Sequence, residues 1–186
     1  MPLVMVHGFG VDHRILLPLD DAFAAAGEWR RLYVDLPGAT RTPVGEVASA
    51  NDVADALIAE IRVRVGDEPF AILGNSFGGM IARHVAHELR DQVRGLATVA
   101  GVFEPRHAVR RRPERTVLHV DDAAVAAIGD QGASFREGAV VESDATARAF
   151  ADFVAPGLAG ADQSALARIA RRYAIDPVPE DAHPAP

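Results

Sequence analysis

The sequence predicts an α/β protein: a parallel sheet flanked by helices, with strands ordered 2-1-3-4. Three observations carry this. Short apolar runs at Leu3–Val6, Leu32–Asp35, Phe70–Leu73 and Leu96–Ala100 alternate with stretches of helical periodicity, the signature of right-handed βαβ units. The first and third runs empty into glycine-rich turns, His7-Gly8-Phe9-Gly10 and Gly74-Asn75-Ser76-Phe77-Gly78-Gly79. The third turn passes into a helical pattern with no intervening loop.

Taken in order, Leu3–Val6 is fit for a buried strand, and residues 11–28 read as a loop plus one helix ending at Gly27. The second strand ends in Asp35-Leu36-Pro37-Gly38. Residues 51–65 place Val53, Leu57, Ile58, Ile61 and Val65 on one stripe, with Ser49 or Asn51 as cap, Gly66-Asp67 as stop and Pro69 opening the third strand. Met80, Ile81, Val85 and Leu89 continue the pattern as a helix over 78–89. After Pro105 the alternation gives way to short helices, near 121–128, 143–154 and 161–173, with Pro156-Gly157 separating the last two. The organisation read from this is a core over 1–105, a helical cap over 106–176 and a Pro-rich tail over 177–186. Phe135, Phe150, Phe153, Leu158 and Tyr173 either line the cap's underside or pack it on the core, and Trp29 reads as structural.

Strand, Gly-Xaa-Ser-Xaa-Gly, helix is the context that gives Ser76 a chemical meaning. A serine on so sharp a turn is held in a strained conformation with its hydroxyl clear of the sheet. Gly74 and Gly78 leave room for strand and helix to pass, and the Phe77 amide at the helix start faces a developing negative charge. An oxyanion needs a second donor, and the Phe9 amide, freed by Gly8 and Gly10, is the candidate. His7 is read as a prop for that loop and not as a base; Asn75 completes the supporting set. In the order 2-1-3-4 the strand order reverses between the first and third strands, so both turns open on the crevice where α/β sheets bind ligands.

Together His7-Gly8-Phe9-Gly10, Gly74-Asn75-Ser76-Phe77-Gly78-Gly79 and Tyr33-Val34-Asp35-Leu36-Pro37-Gly38 resemble the α/β-hydrolase family's oxyanion loop, nucleophile elbow and Asp-Xaa-Pro-Gly strand end, in register over residues 3–105. Where that family often continues Gly-Xaa-Ser, this chain reads Ala39-Thr40-Arg41. The resemblance implies a serine hydrolase acting on an ester-like or C–C-cleavable small substrate, with a cap roofing the site and no cofactor. It also implies an acid and a histidine on strands after the cap, and no such pair sits on a strand end after Ser76. Those C-terminal strands are therefore expected to be missing, leaving the fourth strand as a free edge that promotes self-association. Among the histidines, His119 (beside Asp121 and Asp122) and His183 (beside Asp181) are weak candidates for the base; His84 and His87 ride the helix after the elbow, and His13 and His107 sit in loops. The rival readings are a hydrolase-like binding protein without turnover, and acyl transfer to an acceptor other than water.

Composition bounds the rest. The 186 residues fit one domain, 49% are hydrophobic, and the net charge is −7. The basic run Arg106 with Arg110-Arg111-Arg112 is followed by acidic residues and reads as a solvated connector, not a nucleic-acid site. The absence of cysteine excludes disulfides and thiolate metal sites, and no metal is expected. No Walker lysine exists, since the chain has no lysine. With no membrane-length apolar run and no signal-type leader, a cytoplasmic protein with no membrane partner is expected.

Overall fold

A computed structural model describes residues 1–40, 42–111 and 113–182. Four strands, β1 (Pro2–Val6), β2 (Arg30–Val34), β3 (Phe70–Asn75) and β4 (Val93–Val99), form one parallel sheet in the order β2-β1-β3-β4. Val6 is aligned with Val34 on one side and with Gly74 on the other, so the turns after β1 and β3 leave the same sheet edge side by side.

Helices α1 (Asp20–Ala26), α2 (Ala50–Arg64) and α3 (Phe77–Glu88) connect the strands. Ser49 caps α2 by accepting the Asp52 amide, which settles the cap between the two expected residues. Val53, Leu57, Ile58 and Ile61 then face inward and pack with Val4, Phe70 and Ile72 from the sheet and Ile81 and Val85 from α3. Each such side chain contributes roughly 1.5–3 kcal/mol when fully buried. The other sheet face, through Leu3, Met5 and Leu73, is covered by Leu16 of a 3-10 stretch (His13–Leu19), with Phe23 and Trp29 packed alongside. The first and third strands are thereby buried on both faces, which explains their unbroken apolar runs.

Beyond β4 lie α4 (Asp122–Ala127), α5 (Gly132–Gly138), α6 (Asp144–Phe153), α7 (Ala155–Gly160), α8 (Gln163–Ala170) and α9 (Pro179–Ala182). Helices α4 to α6 share a small core of Ala124, Phe135 and Ala147, with the Phe135 and Phe150 rings 5.6 Å apart. From α8 onward the chain rejoins the main core, where Ile169, Tyr173 and Ile175 pack with the α2–α3 cluster and the Arg172 carbonyl accepts the Ala50 amide.

Several boundaries differ from the sequence expectation for identifiable reasons. β4 begins at Val93, not Leu96, because its first residues pair with β3 across an irregularity at Phe70/Ala71 and are mostly exposed, which erases any apolar signal. Pro156 does not break a helix but sits in the first turn of α7, where a missing N–H is tolerated. Residues 116–118 run into a short strand-like pairing: the Leu118 amide donates to Val140 O and His119 pairs with Val141. The segment read as a Pro-rich tail carries α9, whose Glu180 lies 3.0 Å from Arg83 and 3.7 Å from His87 of α3. Its anchor is ionic and on a distant helix, so no local periodicity announces it. No helix among the described residues is long and apolar enough to cross a membrane.

Candidate active site

Ser76 stands between the last residue of β3 and the first of α3 with φ 51° and ψ −115°, a backbone state that a non-glycine residue adopts only under constraint. Such strain amounts to about 1–3 kcal/mol and persists only where the surroundings enforce it. Here the enforcement is visible. The Ser76 amide donates to Val99 O at 2.9 Å, and its carbonyl accepts the Gly79 and Val102 amides at 3.0 Å each. Asn75 adds a side-chain bond from Nδ2 to Val99 O at 3.2 Å.

The two elbow glycines are demanded by backbone, not by flexibility. A β-carbon on Gly74 would lie 2.3 Å from Gly78 O, and one on Gly78 would lie 2.3 Å from His7 O. α3 thus starts in direct contact with the end of β1. A β-carbon on Gly8 would meet Asn75 Oδ1 at 2.7 Å and Ser76 Cβ at 3.3 Å, so the 7–10 turn abuts the serine. The Phe9 and Phe77 rings meet edge-on at 5.2 Å, and Tyr173 packs against both. Among the described residues, no acceptor takes the Phe9 or Phe77 amide.

His7 is 2% exposed and both ring nitrogens are occupied. Nε2 accepts the Leu36 amide at 2.9 Å, which leaves the proton on Nδ1, donated to Gly8 O at 2.7 Å. Burial pushes its pKa below the ordinary histidine value, outweighing Asp35 and Asp12 nearby. This neutral ring ties the 7–10 turn to the Leu36-Pro37-Gly38 turn.

The other histidines lie elsewhere. His119 is engaged through its backbone with Val141 and Glu142, His87 is buried beside Glu180, and His107 stacks toward Tyr173 at 6.3 Å. His183 falls outside the described residues. Among the described residues no histidine or carboxylate is hydrogen-bonded to the Ser76 hydroxyl.

A network that sequence reasoning missed borders the same turn. Asp12 is fully buried and accepts the Thr40 hydroxyl at 2.8 Å and the Arg14 amide at 3.0 Å. Asp35 accepts the His13 amide at 2.8 Å and the His13 ring at 2.9 Å. The Asp12, His13 and Asp35 ligand atoms cluster within 4.8 Å, as in a metal site, but protein donors already occupy them. The network clamps the stretch after the 7–10 turn to the 35–40 loop. Its one sequence signal is Asp12 as a cap before the 3-10 stretch.

A parallel sheet ordered β2-β1-β3-β4, with a strained serine at a strand-to-helix junction against a glycine turn, defines the α/β-hydrolase fold. Residues 1–173 match the thioesterase domain family, and the chain belongs to it. An α/β superfamily hydrolase from Oenococcus oeni superposes with a TM-score of 0.88 over 95% of this chain and 66% of that one, at 22% identity. Pimeloyl-[acyl-carrier protein] methyl ester esterase from Shewanella woodyi is 35% identical over 99 residues, covering 53% of this chain and 35% of that protein. 2-Succinyl-6-hydroxy-2,4-cyclohexadiene-1-carboxylate synthase from Klebsiella pneumoniae is 31% identical over 102 residues, covering 53% and 38%. The matched segment therefore spans little more than a third of either curated relative.

Proposed function

We propose that the chain carries the nucleophile and oxyanion donors of an esterase or thioesterase acting on a small acyl substrate. The observation that carries this reading is the enforced φ of 51° at Ser76, between a buried strand and a helix N-terminus. Ser76 Oγ attacks the carbonyl carbon, the carbonyl π pair moves onto oxygen, and the Phe9 and Phe77 amides hold that oxyanion. Collapse expels the alkoxide or thiolate, which leaves as alcohol or thiol with the proton the Ser76 hydroxyl gave up on attack, and water then cleaves the acyl-serine to the free acid and restores the hydroxyl. One missing oxyanion donor lowers such rates by roughly 10²–10³-fold. Gly8, Gly10, Gly74, Asn75 and Gly78 shape the backbone, His7 braces it, and the helices of 106–176 roof the cleft. Family membership and the esterase named among the relatives support acyl chemistry.

A fluorophosphonate probe tests this reading. The wild-type chain is expected to be labelled and Ser76→Ala not; labelling of Ser76→Ala at the wild-type level overturns the assignment. A second reading is favoured by the absence of a histidine on Ser76 Oγ among the described residues: a site that binds acyl ligands without turnover. Ligand-induced thermal stabilisation with no product release distinguishes it. Oxyanion donors and binding alone still sustain roughly 10³–10⁴-fold acceleration over water when a triad member is lacking, so slow acylation remains measurable.

A further inference from the structure

The cleft in front of Ser76 is cationic in a chain whose net charge is −7. Its volume is about 420 Å³, and Ser76, the Ala100–Val102 turn, Glu104, Arg110 and Arg111 line it. The charges on that wall do not cancel. Glu104 is engaged by Arg106, which donates from its Nε at 2.9 Å, its Nη2 at 2.8 Å and its backbone amide at 2.8 Å. Those bonds hold the Glu104 carboxyl at a pKa of about 2, so it stays ionised and paired. Arg110 hydrogen-bonds to neutral main-chain acceptors, with Nε on Glu104 O at 2.8 Å and Nη2 on Pro105 O at 3.3 Å, and the single Glu104 carboxylate is shared electrostatically between it and Arg106. Arg111 makes no ion pair among the described residues. Two guanidinium charges are thus in excess beside the serine.

Arg110 is also fixed in place. Two backbone carbonyls grip one edge of its guanidinium, which limits the entropy lost when a ligand docks on the remaining N–H groups. It lies within electrostatic reach of Tyr173, whose ring covers Phe9 and Phe77. The sequence alone assigns this basic run to a solvated connector; the fold turns Arg110 and Arg111 onto the cleft, Arg106 stays exposed on Glu104, and Arg112 falls outside the described residues.

Resting on the esterase reading above, we propose that the site selects acyl groups ending in a carboxylate, with Arg110 and Arg111 seating that carboxylate while Ser76 faces the ester carbonyl. The guanidinium fork matches a planar carboxylate, and an anion entering this cleft meets an excess of positive charge, from three guanidiniums against the one Glu104 carboxylate, instead of the prevailing negative field. A neutral acyl chain gains nothing from either residue.

Two measurements separate this proposal from the nucleophile assignment. In the first, Ser76→Ala protein is titrated with adipate and with neutral dimethyl adipate, read by calorimetry and thermal shift. Adipate is expected to bind in competition with salt, and the Arg110→Gln/Arg111→Gln pair to weaken it roughly 10-fold or more, the scale of a lost charge-assisted hydrogen bond. Equal adipate affinity with and without the arginines overturns the proposal. In the second, the ratio of kcat/KM for mono-p-nitrophenyl adipate to that for its methyl-capped counterpart is compared across variants. The ratio is expected to fall about 10-fold in Arg110→Gln/Arg111→Gln and to recover in part in Arg110→Lys; an unchanged ratio contradicts the proposal. If neither ester is turned over while adipate still binds through the arginines, the nucleophile assignment fails and the anion site stands.

Discussion

The β1–β3 half of the sheet and the β4 side are built from the same strand type yet behave as opposites. β1 is buried along its whole length, and β3 is buried except at Asn75. Along β4, Leu96 is 39% exposed and Val99 45%. The first pair is clamped from both faces and welded to α3 by glycine contacts shorter than any side chain allows. β4 serves the site through its Val99 carbonyl, which accepts the Ser76 amide and Asn75 Nδ2, and the Val102 amide just beyond the strand donates to Ser76 O. Precision in this molecule therefore comes from burial on one side and from backbone hydrogen bonding on the other. The position of Ser76 draws on both, through the buried end of β3 and the Val99 carbonyl of β4.

The largest expected effect comes from breaking the weld. Gly78→Ala forces a β-carbon against the His7 and Val6 carbonyls, main-chain atoms that cannot swing away. We expect a loss of about 3 kcal/mol or more in chemical denaturation, together with loss of probe labelling, beyond the ordinary overpacking range of roughly 1–3 kcal/mol. Gly45→Ala, in open space, carries backbone strain without a collision and serves as the control.

Next in size is the brace. His7→Ala leaves the buried Leu36 amide without an acceptor, which costs about 1–3 kcal/mol, and frees the turn that presents the Phe9 amide. Its pH signature is specific. Folded His7 titrates below the ordinary histidine pKa of 6.5, so the unfolded chain binds the proton first as pH falls. Stability is accordingly full above about pH 7 and declines as pH drops below 6.5 toward the folded value. His84, shifted down by burial in the same direction, adds to this slope. His7→Gln should lower stability at neutral pH and reduce the decline toward acid; an unaltered slope in urea melts at stepped pH contradicts the neutral ring described above.

On the β4 side the expected changes in fold stability are small. Leu96→Ser and Val99→Ser should each shift it by roughly 0.5 kcal/mol or less, as exposed substitutions do. Their readout is association. The chain exposes 10262 Å² at a mass of 19.7 kDa, against about 8,600 Å² for a folded monomer of that mass. We expect the wild-type chain to sediment with a concentration-dependent coefficient and Val99→Arg to suppress it; monodisperse sedimentation of both removes self-association through this edge.

The same contrast governs what could be read from the sequence. Where burial dictates residue type, the pattern was legible: β1, β3, α2 and α3 lie within a few residues of their expected ranges, the strand order is as read, and the 7–10 turn and the turn at Ser76 stand side by side. Where a structural role rests on main-chain bonds or single ion pairs, the sequence was silent. The start of β4, the docking of α9 through Glu180 and the placement of Pro156 inside a first turn leave no periodic trace. The Asp12–Thr40 and Asp35–His13 clamps join residues more than twenty positions apart, and no spacing rule connects them. The orientation of Arg110 is of the same kind, since two main-chain carbonyls set it and solvent-facing arginines look identical in a sequence.

The claim on which the chemistry depends is that the hydroxyl at position 76 is the group that becomes acylated. Mixing the chain with p-nitrophenyl acetate, following the p-nitrophenolate burst and mapping the acetyl group by peptide mass spectrometry addresses it directly. The account predicts a burst of about one equivalent or less with the acetyl group on Ser76, abolished in Ser76→Ala. Acetyl found on His107, His119 or another side chain, with Ser76 unmodified, contradicts it.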